Sequence, residues 1–255
     1  MDILSERQNK ILALAGQNGR IDVEELSITF EVSPQTIRKD LNTLCDRQLL
    51  QRIHGGAIVG SGIENVSYEA RRLLAPGAKK AIGKKAAELI PDNSSLLINI
   101  GTTTEQVAHA LKDHRGLLVI TNNVNAVDIM RNFLGIELII AGGQVRRSDG
   151  GIVGVAAVDF INQFKVDYAV IGVSAIDEDG SLLDYDFREV RVAQAIIENA
   201  RHIILVADTI KLERTAPIRI SHVSQINTIV INAKLPRRLE ETCKEHSVRI
   251  VIAEE

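Results

Sequence analysis

Over residues 3–15, Ile3, Ile11, Leu12 and Leu14 recur among polar partners, a spacing that predicts one amphipathic helix. Gly19 follows as its stop. Asp22 then stands where an N-cap belongs, ahead of Val23, Leu26 and Phe30 on one face, and predicts a second helix. Ser33 and Pro34 repeat the signature: a capping hydroxyl, then a residue whose missing N–H costs nothing at the first helical position. Behind them Ile37, Leu41 and Leu44 fall at i, i+4 and i+7. The opposite face of this third helix therefore carries Gln35, Arg38, Lys39 and Asn42. "LLQRIHGGAIV" comes next, two short apolar runs around His54-Gly55-Gly56, and predicts a hairpin.

Residues 61–76 are a connector by their Gly and Ser and the Pro stop. Beyond them the pattern alternates. Apolar runs at 96–100, 117–121, 137–141, 167–173, 202–207, 228–232 and 248–253 predict strands. Stretches at 105–112, 125–133, 155–164, 189–200 and 236–246 predict helices. Such alternation argues a mostly parallel sheet covered on both faces. The expected organisation is a helix-rich head over 1–60, the connector, and an α/β domain over 77–255.

Composition changes this picture little. The chain has 255 residues, 45% apolar, 3% aromatic and no Trp. A net charge of −3 gives no global basic field, and residues 1–60 hold seven Lys or Arg against eight Asp or Glu. The charge is local: Arg38, Lys39, Arg47 and Arg52 oppose only Asp40 and Asp46 in 33–54. Cys45 and Cys243 lie far apart with neither disulfide nor zinc spacing, which fits a reducing compartment. The amino terminus lacks the pattern of a signal peptide, and the apolar runs are strand-length, so a cytoplasmic protein is expected. No cofactor is expected, since neither G-x-x-x-x-G-K-[ST] nor G-x-G-x-x-G occurs.

Two helices across a tight turn, the second with a polar outer face and a hairpin behind it, read as a winged helix-turn-helix for double-stranded DNA. Arg and Lys pair with guanine, Gln and Asn with adenine, and Gln35, Arg38, Lys39 and Asn42 supply that chemistry. Ser33 and Thr36 add phosphate contacts at the helix start. Arg52, His54, Gly55 and Gly56 form the wing, whose glycines let backbone approach a groove closely.

In the α/β domain four polar segments fall at the carboxyl ends of predicted strands, the edge where such sheets bind ligands. "GTTTEQ" offers N–H groups, hydroxyls and a helix amino terminus to an anion. "TNN" precedes another helix, "RRSDGG" is a polar loop, and Asp208 to Lys211 carries a lysine suited to phosphate. Each alone is an ordinary cap or turn; four at one edge point to a site.

"GRIDVEELSITFEVSPQTIRKDLNTLCDRQLLQRIHGGA" resembles the amino-terminal domain of the DeoR family of bacterial transcription regulators, with "SPQTIRKDLNTL" and "HGGA" its most diagnostic pieces. "GTT", "TNN", "AGGQVRRSDGGIVG", "DFINQF", "IDEDGSLL", "EVR", "AIIENARH" and "DTIKLER" extend the resemblance over nearly the whole chain. It implies a sugar-phosphate sensor with a fold related to ribose 5-phosphate isomerases and CoA transferases. It implies a phosphate loop at Gly101, Thr102, Thr103 and Thr104, with Asn123, Asp149, Gly150, Asp177, Glu189 and Lys211 around the effector. It favours glycerol 3-phosphate as that effector and a non-catalytic repressor of a carbon-metabolism regulon; a homo-oligomer is expected because winged-helix regulators read paired half-sites. The sequence departs from the family at Asn99, Ala175, Ile210 and Glu213. The alternative is an enzyme like a sugar-phosphate isomerase, with Glu189 or Asp177 as base. An attached helix-turn-helix argues against it.

Overall fold

The computed structural model describes residues 4–47, 49–58 and 66–254, and the chain divides into two compact units, Met1–Pro76 and Gly77–Glu255. In the first, α1 (Glu6–Asn18) opens on a capping box. Ser5 Oγ accepts the Gln8 N–H while Gln8 Oε1 accepts the Ser5 N–H. Gly19 ends it, donating to Ala15 O. β1 (Arg20–Asp22) leads into α2 (Val23–Thr29), where Asp22 Oδ1 accepts the Glu24 N–H at 2.8 Å. α3 (Pro34–Asp46) starts from Ser33, whose Oγ accepts the Thr36 N–H. β2 (Gln51–Ile53) and β3 (Gly56–Ile58) form the expected antiparallel hairpin.

β1 is an addition that periodicity does not reveal, because three residues hold no period. It pairs with β3, giving the order β1-β3-β2. This pairing accounts for Gly56: a Cβ there would sit 2.0 Å from Ile21 O. Ile11, Leu12, Ile21, Leu26, Ile37, Leu41, Leu44 and Ala57 make the core. Part of the stretch expected as a connector is helical: α4 (Tyr68–Leu73) is capped by Ser67 and packs on α1. Residues 61–65 lie outside the described ones.

The second unit is entered through α5 (Pro76–Ala87). Then come β4 (Ser95–Ile98), α6 (Thr102–Ala110), β5 (Leu117–Thr121), α7 (Val124–Met130) and β6 (Ile136–Ile140). A hairpin of β7 (Gln144–Val145) and β8 (Ile152–Val153) precedes α8 (Val155–Ile161) and β9 (Val166–Ile171). A second hairpin, β10 (Ala175–Ile176) and β11 (Ser181–Asp184), precedes α9 (Phe187–Glu198) and β12 (Ala200–Ala207). β13 (Ile218–His222), β14 (Thr228–Ile231), α10 (Arg237–Glu245) and β15 (Arg249–Ile252) complete it.

Seven strands form one parallel sheet in the order β15-β14-β12-β9-β4-β5-β6. Alternation sends Leu97, Ala169, Leu205 and Ile229 to one face, where Ile161, Ile196 and Leu239 of α8, α9 and α10 cover them. Leu96, Ile98, Val170, Ile204 and Val230 face the other way, under Ile82, Val107 and Met130 of α5, α6 and α7. Burial on both faces explains why these strands read as unbroken apolar runs. β10, β11 and β13 form a small antiparallel sheet beside the main one, which strand-length patterns do not predict. The strand order reverses between β4 and β9, the topological switch point of a doubly wound sheet. Among the described residues no helix is long and apolar enough to cross a membrane.

Candidate functional site

In the first unit, packing decides which side chains α3 presents. Ile37, Leu41 and Leu44 are fully buried, so Gln35, Arg38, Lys39 and Asn42 stand exposed along the opposite face. Arg38 lies 3.9 Å from Glu24 of α2, a pairing that exposure keeps weak. Ser33 Oγ and Thr36 Oγ1 lie 2.9 Å apart, so both hydroxyls serve the helix start. Arg52, His54 and Gly55 are exposed on the wing, while Gly56 is buried against β1.

The second candidate site lies at the carboxyl edge of the parallel sheet. Gly101 follows β4 at the switch point, with φ 151°, and starts α6 without a capping side chain. The first-turn N–H groups of α6 thus have no intrahelical acceptor, the arrangement that favours an anion. Thr102, Thr103 and Thr104 are buried. The Thr104 hydroxyl lies 2.8 Å from both Asn99 O and Gly101 O, so it holds the turn together. The Asn99 side chain accepts the Ile100 N–H.

Neighbouring loops are stitched to this turn. Asn123 caps α7 with its Oδ1 and donates from Nδ2 to Glu105 Oε1 at 3.3 Å. Asn125 Nδ2 donates to the same Glu105 oxygen at 3.0 Å and to Asp149 O at 2.9 Å. The Val124 N–H donates to Gly150 O. Arg146 then ties the β7–β8 loop to α9. Its guanidinium donates twice to Asp149, at 2.8 and 2.6 Å, to Asp186 at 2.9 Å and to Glu189 at 2.5 Å. Asn123, Asp149, Gly150 and Glu189 therefore belong to one bonded network. Of the residues that join them, Glu105 and Arg146 fall in the "GTTTEQ" and "RRSDGG" segments that the sequence singled out, without a role assigned, whereas Asn125 and Asp186 were missed.

Lys211 stands in a short turn after β12, two strands from β4, and its N–H donates to Asp208 O at 3.0 Å. Glu213 is exposed, and Arg214 is buried with its guanidinium over the Tyr185 ring at 5.6 Å. Lys79 of α5, 4% exposed, reaches Asp208 Oδ2 at 4.0 Å. Two buried oxygens of this edge, Asn122 Oδ1 and Asp208 Oδ1, meet no donor among the described residues. Asp177 lies at the turn between β10 and β11. Its N–H donates to Ser181 O at the end of that hairpin opposite the Ser174–Asp184 bond. Among the described residues no group of three His, Cys, Asp or Glu could hold a metal ion.

The arginine network has an electrostatic signature. Burial pulls the Arg146 pKa down, but Asp149 and Glu189 outweigh it and hold the guanidinium above its ordinary value. Burial raises Asp186, yet bonds from Arg188 and Arg146 hold its carboxyl down at about 2 against an ordinary 3.8. A carboxyl depressed on folding stabilises the fold above its unfolded pKa, and that contribution is lost as pH falls through the folded value. Asp186→Asn is therefore expected to flatten the acid limb of stability between about pH 4 and pH 2. Urea midpoints measured across that window test it, and a limb as steep as the parent's would show that Asp186 contributes nothing there.

A winged helix-turn-helix joined to a doubly wound α/β unit is the build of a ligand-responsive DNA-binding regulator. Residues 7–61 match the DeoR-like helix-turn-helix domain and residues 75–233 the DeoR C terminal sensor domain, and the chain belongs to the DeoR family of transcription regulators. The glycerol-3-phosphate regulon repressor of Escherichia coli (strain K12) is 42% identical, over 96% of this chain and 98% of its own length. The repressor of the same description from Haemophilus influenzae is 44% identical, over 97% and 96%. Among solved structures, ribose 5-phosphate isomerase from Methanocaldococcus jannaschii aligns at 16% identity, 52% of this chain and 53% of that one, with a TM-score of 0.39. Pyrococcus horikoshii OT3 translation initiation factor eIF-2B aligns at 15%, 87% and 86%, with a TM-score of 0.44.

Proposed function

We propose that the protein is a cytoplasmic repressor of a carbon-metabolism regulon that binds operator DNA through α3 and the wing and is relieved by a small phosphorylated metabolite, glycerol 3-phosphate above all. The observation that carries the effector half is the uncapped turn at Gly101, Thr102, Thr103 and Thr104, set at the switch point of the sheet. Lys211 adds a point charge for the phosphate, and the Asn123–Asp149–Gly150–Glu189 network offers acceptors for hydroxyls. Relatives sharing more than two fifths of the sequence over nearly their full length carry the name of a glycerol-3-phosphate regulon repressor, which favours that metabolite. The protein acts as a homo-oligomer, since helix-turn-helix regulators read paired half-sites.

The isomerase-like reading loses support at its own candidate base. Glu189 is bonded to Arg146 at 2.5 Å, and a carboxylate engaged by a guanidinium is a poor proton acceptor. A gel shift on DNA upstream of the protein's own coding sequence, with and without glycerol 3-phosphate, tests the proposal. A melting-temperature screen over phosphorylated three- to six-carbon metabolites identifies the ligand, because whatever binds only the folded state raises the melting temperature. Turnover of a sugar phosphate with no DNA binding would reverse the conclusion.

Arg38→Ala is expected to weaken operator binding by about 1–3 kcal/mol. If Arg38 touches only phosphate, specific and non-specific DNA weaken alike and the salt slope falls by roughly one. Unchanged affinity for every DNA would remove Arg38 from the interface.

A further inference from the structure

The inward face of α3 is not wholly apolar. Asp40 shares the stripe of Ile37, Leu41 and Leu44 and is 6% exposed. A carboxylate in such a place requires partners. Both come from the first turn of α1. Arg7 Nε donates to Oδ2 at 2.6 Å, and Gln8 Nε2 donates to Oδ1 at 3.1 Å. Gln8 is also the residue whose Oε1 accepts the Ser5 N–H in the capping box. One amide therefore fixes where α1 starts and holds α3 as well.

Aliphatic packing and these two bonds constrain different motions. Apolar burial is non-directional, so Ile37, Leu41 and Leu44 keep α3 in contact with the core through a modest roll about its axis. Hydrogen bonds weaken steeply with distance and angle. A side chain reaches about 5 Å from a helix axis, so a roll of about 20° carries it roughly 2 Å, enough to break both bonds to Asp40. The same roll would displace the outward side chains by as much, and bidentate base contacts do not survive that. Replacing even a buried ion pair by apolar groups is often neutral for stability, and here the Arg7 side chain is 34% exposed, so stability alone does not require this pair.

We propose that Asp40, held by Arg7 and Gln8, is a positioning residue that fixes the roll of α3 and thereby aims Gln35, Arg38, Lys39 and Asn42 at the base edges. This rests on the reading of α3 as the helix that enters the major groove. Asp40 makes no base contact; it acts through α1.

The test uses the full-length chain and the DNA fragment it binds upstream of its own coding sequence, with a scrambled duplex as reference. The double variant Arg7→Met with Asp40→Leu removes the clamp and leaves an apolar fill. The expected result is a melting temperature close to the parent's, scrambled-duplex affinity within about twofold, and a specific-to-non-specific ratio lower by about tenfold or more, the discrimination of one or two bidentate contacts. A folded double variant with the parent's ratio would overturn the proposal and leave the clamp as packing alone. Should the double variant fail to fold, Asp40→Asn provides the reading. It is isosteric and keeps an acceptor for one donor, so a smaller fall in the ratio is expected, and an unchanged ratio overturns the proposal. Arg38→Ala measured alongside separates the two ideas. Unaltered operator binding in that variant means that α3 does not read the DNA, whatever Asp40 does.

Discussion

Arg146→Met is expected to lower the stability of the sensor unit by about 3–5 kcal/mol, the usual cost of removing one partner from a buried ionic network. The loss follows from what stays behind. The Asp149 side chain is 2% exposed and that of Glu189 9%, and both rely on this guanidinium. Without it these buried carboxylates lose the positive charge that offsets their desolvation, which disfavours their charged form relative to the parent. A carboxyl so shifted costs more stability as pH climbs, so the deficit should be larger at pH 8 than at pH 5. Urea unfolding of the variant and the parent at both values measures it. Equal midpoints at pH 8 would mean that solvent already neutralises the cluster. Changing Asp149 to Asn and Glu189 to Gln in the same chain should recover part of the loss, because neutral amides tolerate the missing charge.

Lys211→Ala is expected to separate sensing from DNA binding. A charge-assisted bond to a phosphate contributes about 1.5–3 kcal/mol, so affinity for the phosphorylated effector should fall by roughly ten- to a hundredfold. Operator affinity without effector should not change. The coupling itself, typically about 1–3 kcal/mol, is reciprocal: operator DNA weakens effector binding by the factor with which effector weakens DNA binding. In a cell the variant represses permanently. Titration of glycerol 3-phosphate against a preformed protein–DNA complex decides the matter. Release at the parent's concentration would move the phosphate away from Lys211 and make that lysine structural.

α3 was legible in the sequence because its signals are local. Ser33-Pro34 starts it, and Ile37, Leu41 and Leu44 mark its inward face within two turns. The parallel strands were legible as continuous apolar runs between helical stretches. Long-range chemistry was not. Asp40 counts as one more surface charge until Arg7, 33 residues earlier, is placed against it. The "RRSDGG" loop was visible, but Asp186 and Glu189 lie 40 and 43 residues beyond Arg146. No period links a loop to a helix at that distance. β1, β10 and β7 hold two or three residues each, too few for alternation to register. Gly56 drew attention as a residue suited to a DNA groove, whereas the close approach in the structure is to Ile21. Asp177, grouped by resemblance with the effector residues, occupies the β10–β11 hairpin turn, where its N–H donates to Ser181 O.

The order of strands also sets an order in time. Every strand pair of the head closes within Arg20–Ile58. The first strand of the sensor waits far longer for its inner neighbour: Ser95 bonds to Asp167 across 72 residues of chain. At a synthesis rate of about 5–20 residues per second, several seconds separate the emergence of those two partners. A growing chain thus carries a finished DNA-reading head while the sheet that would hold the metabolite is still incomplete. A ribosome that stops within the sensor releases a fragment blind to the metabolite, and if the complete protein is the homo-oligomer proposed above, such a fragment holds DNA by one head and is easily displaced.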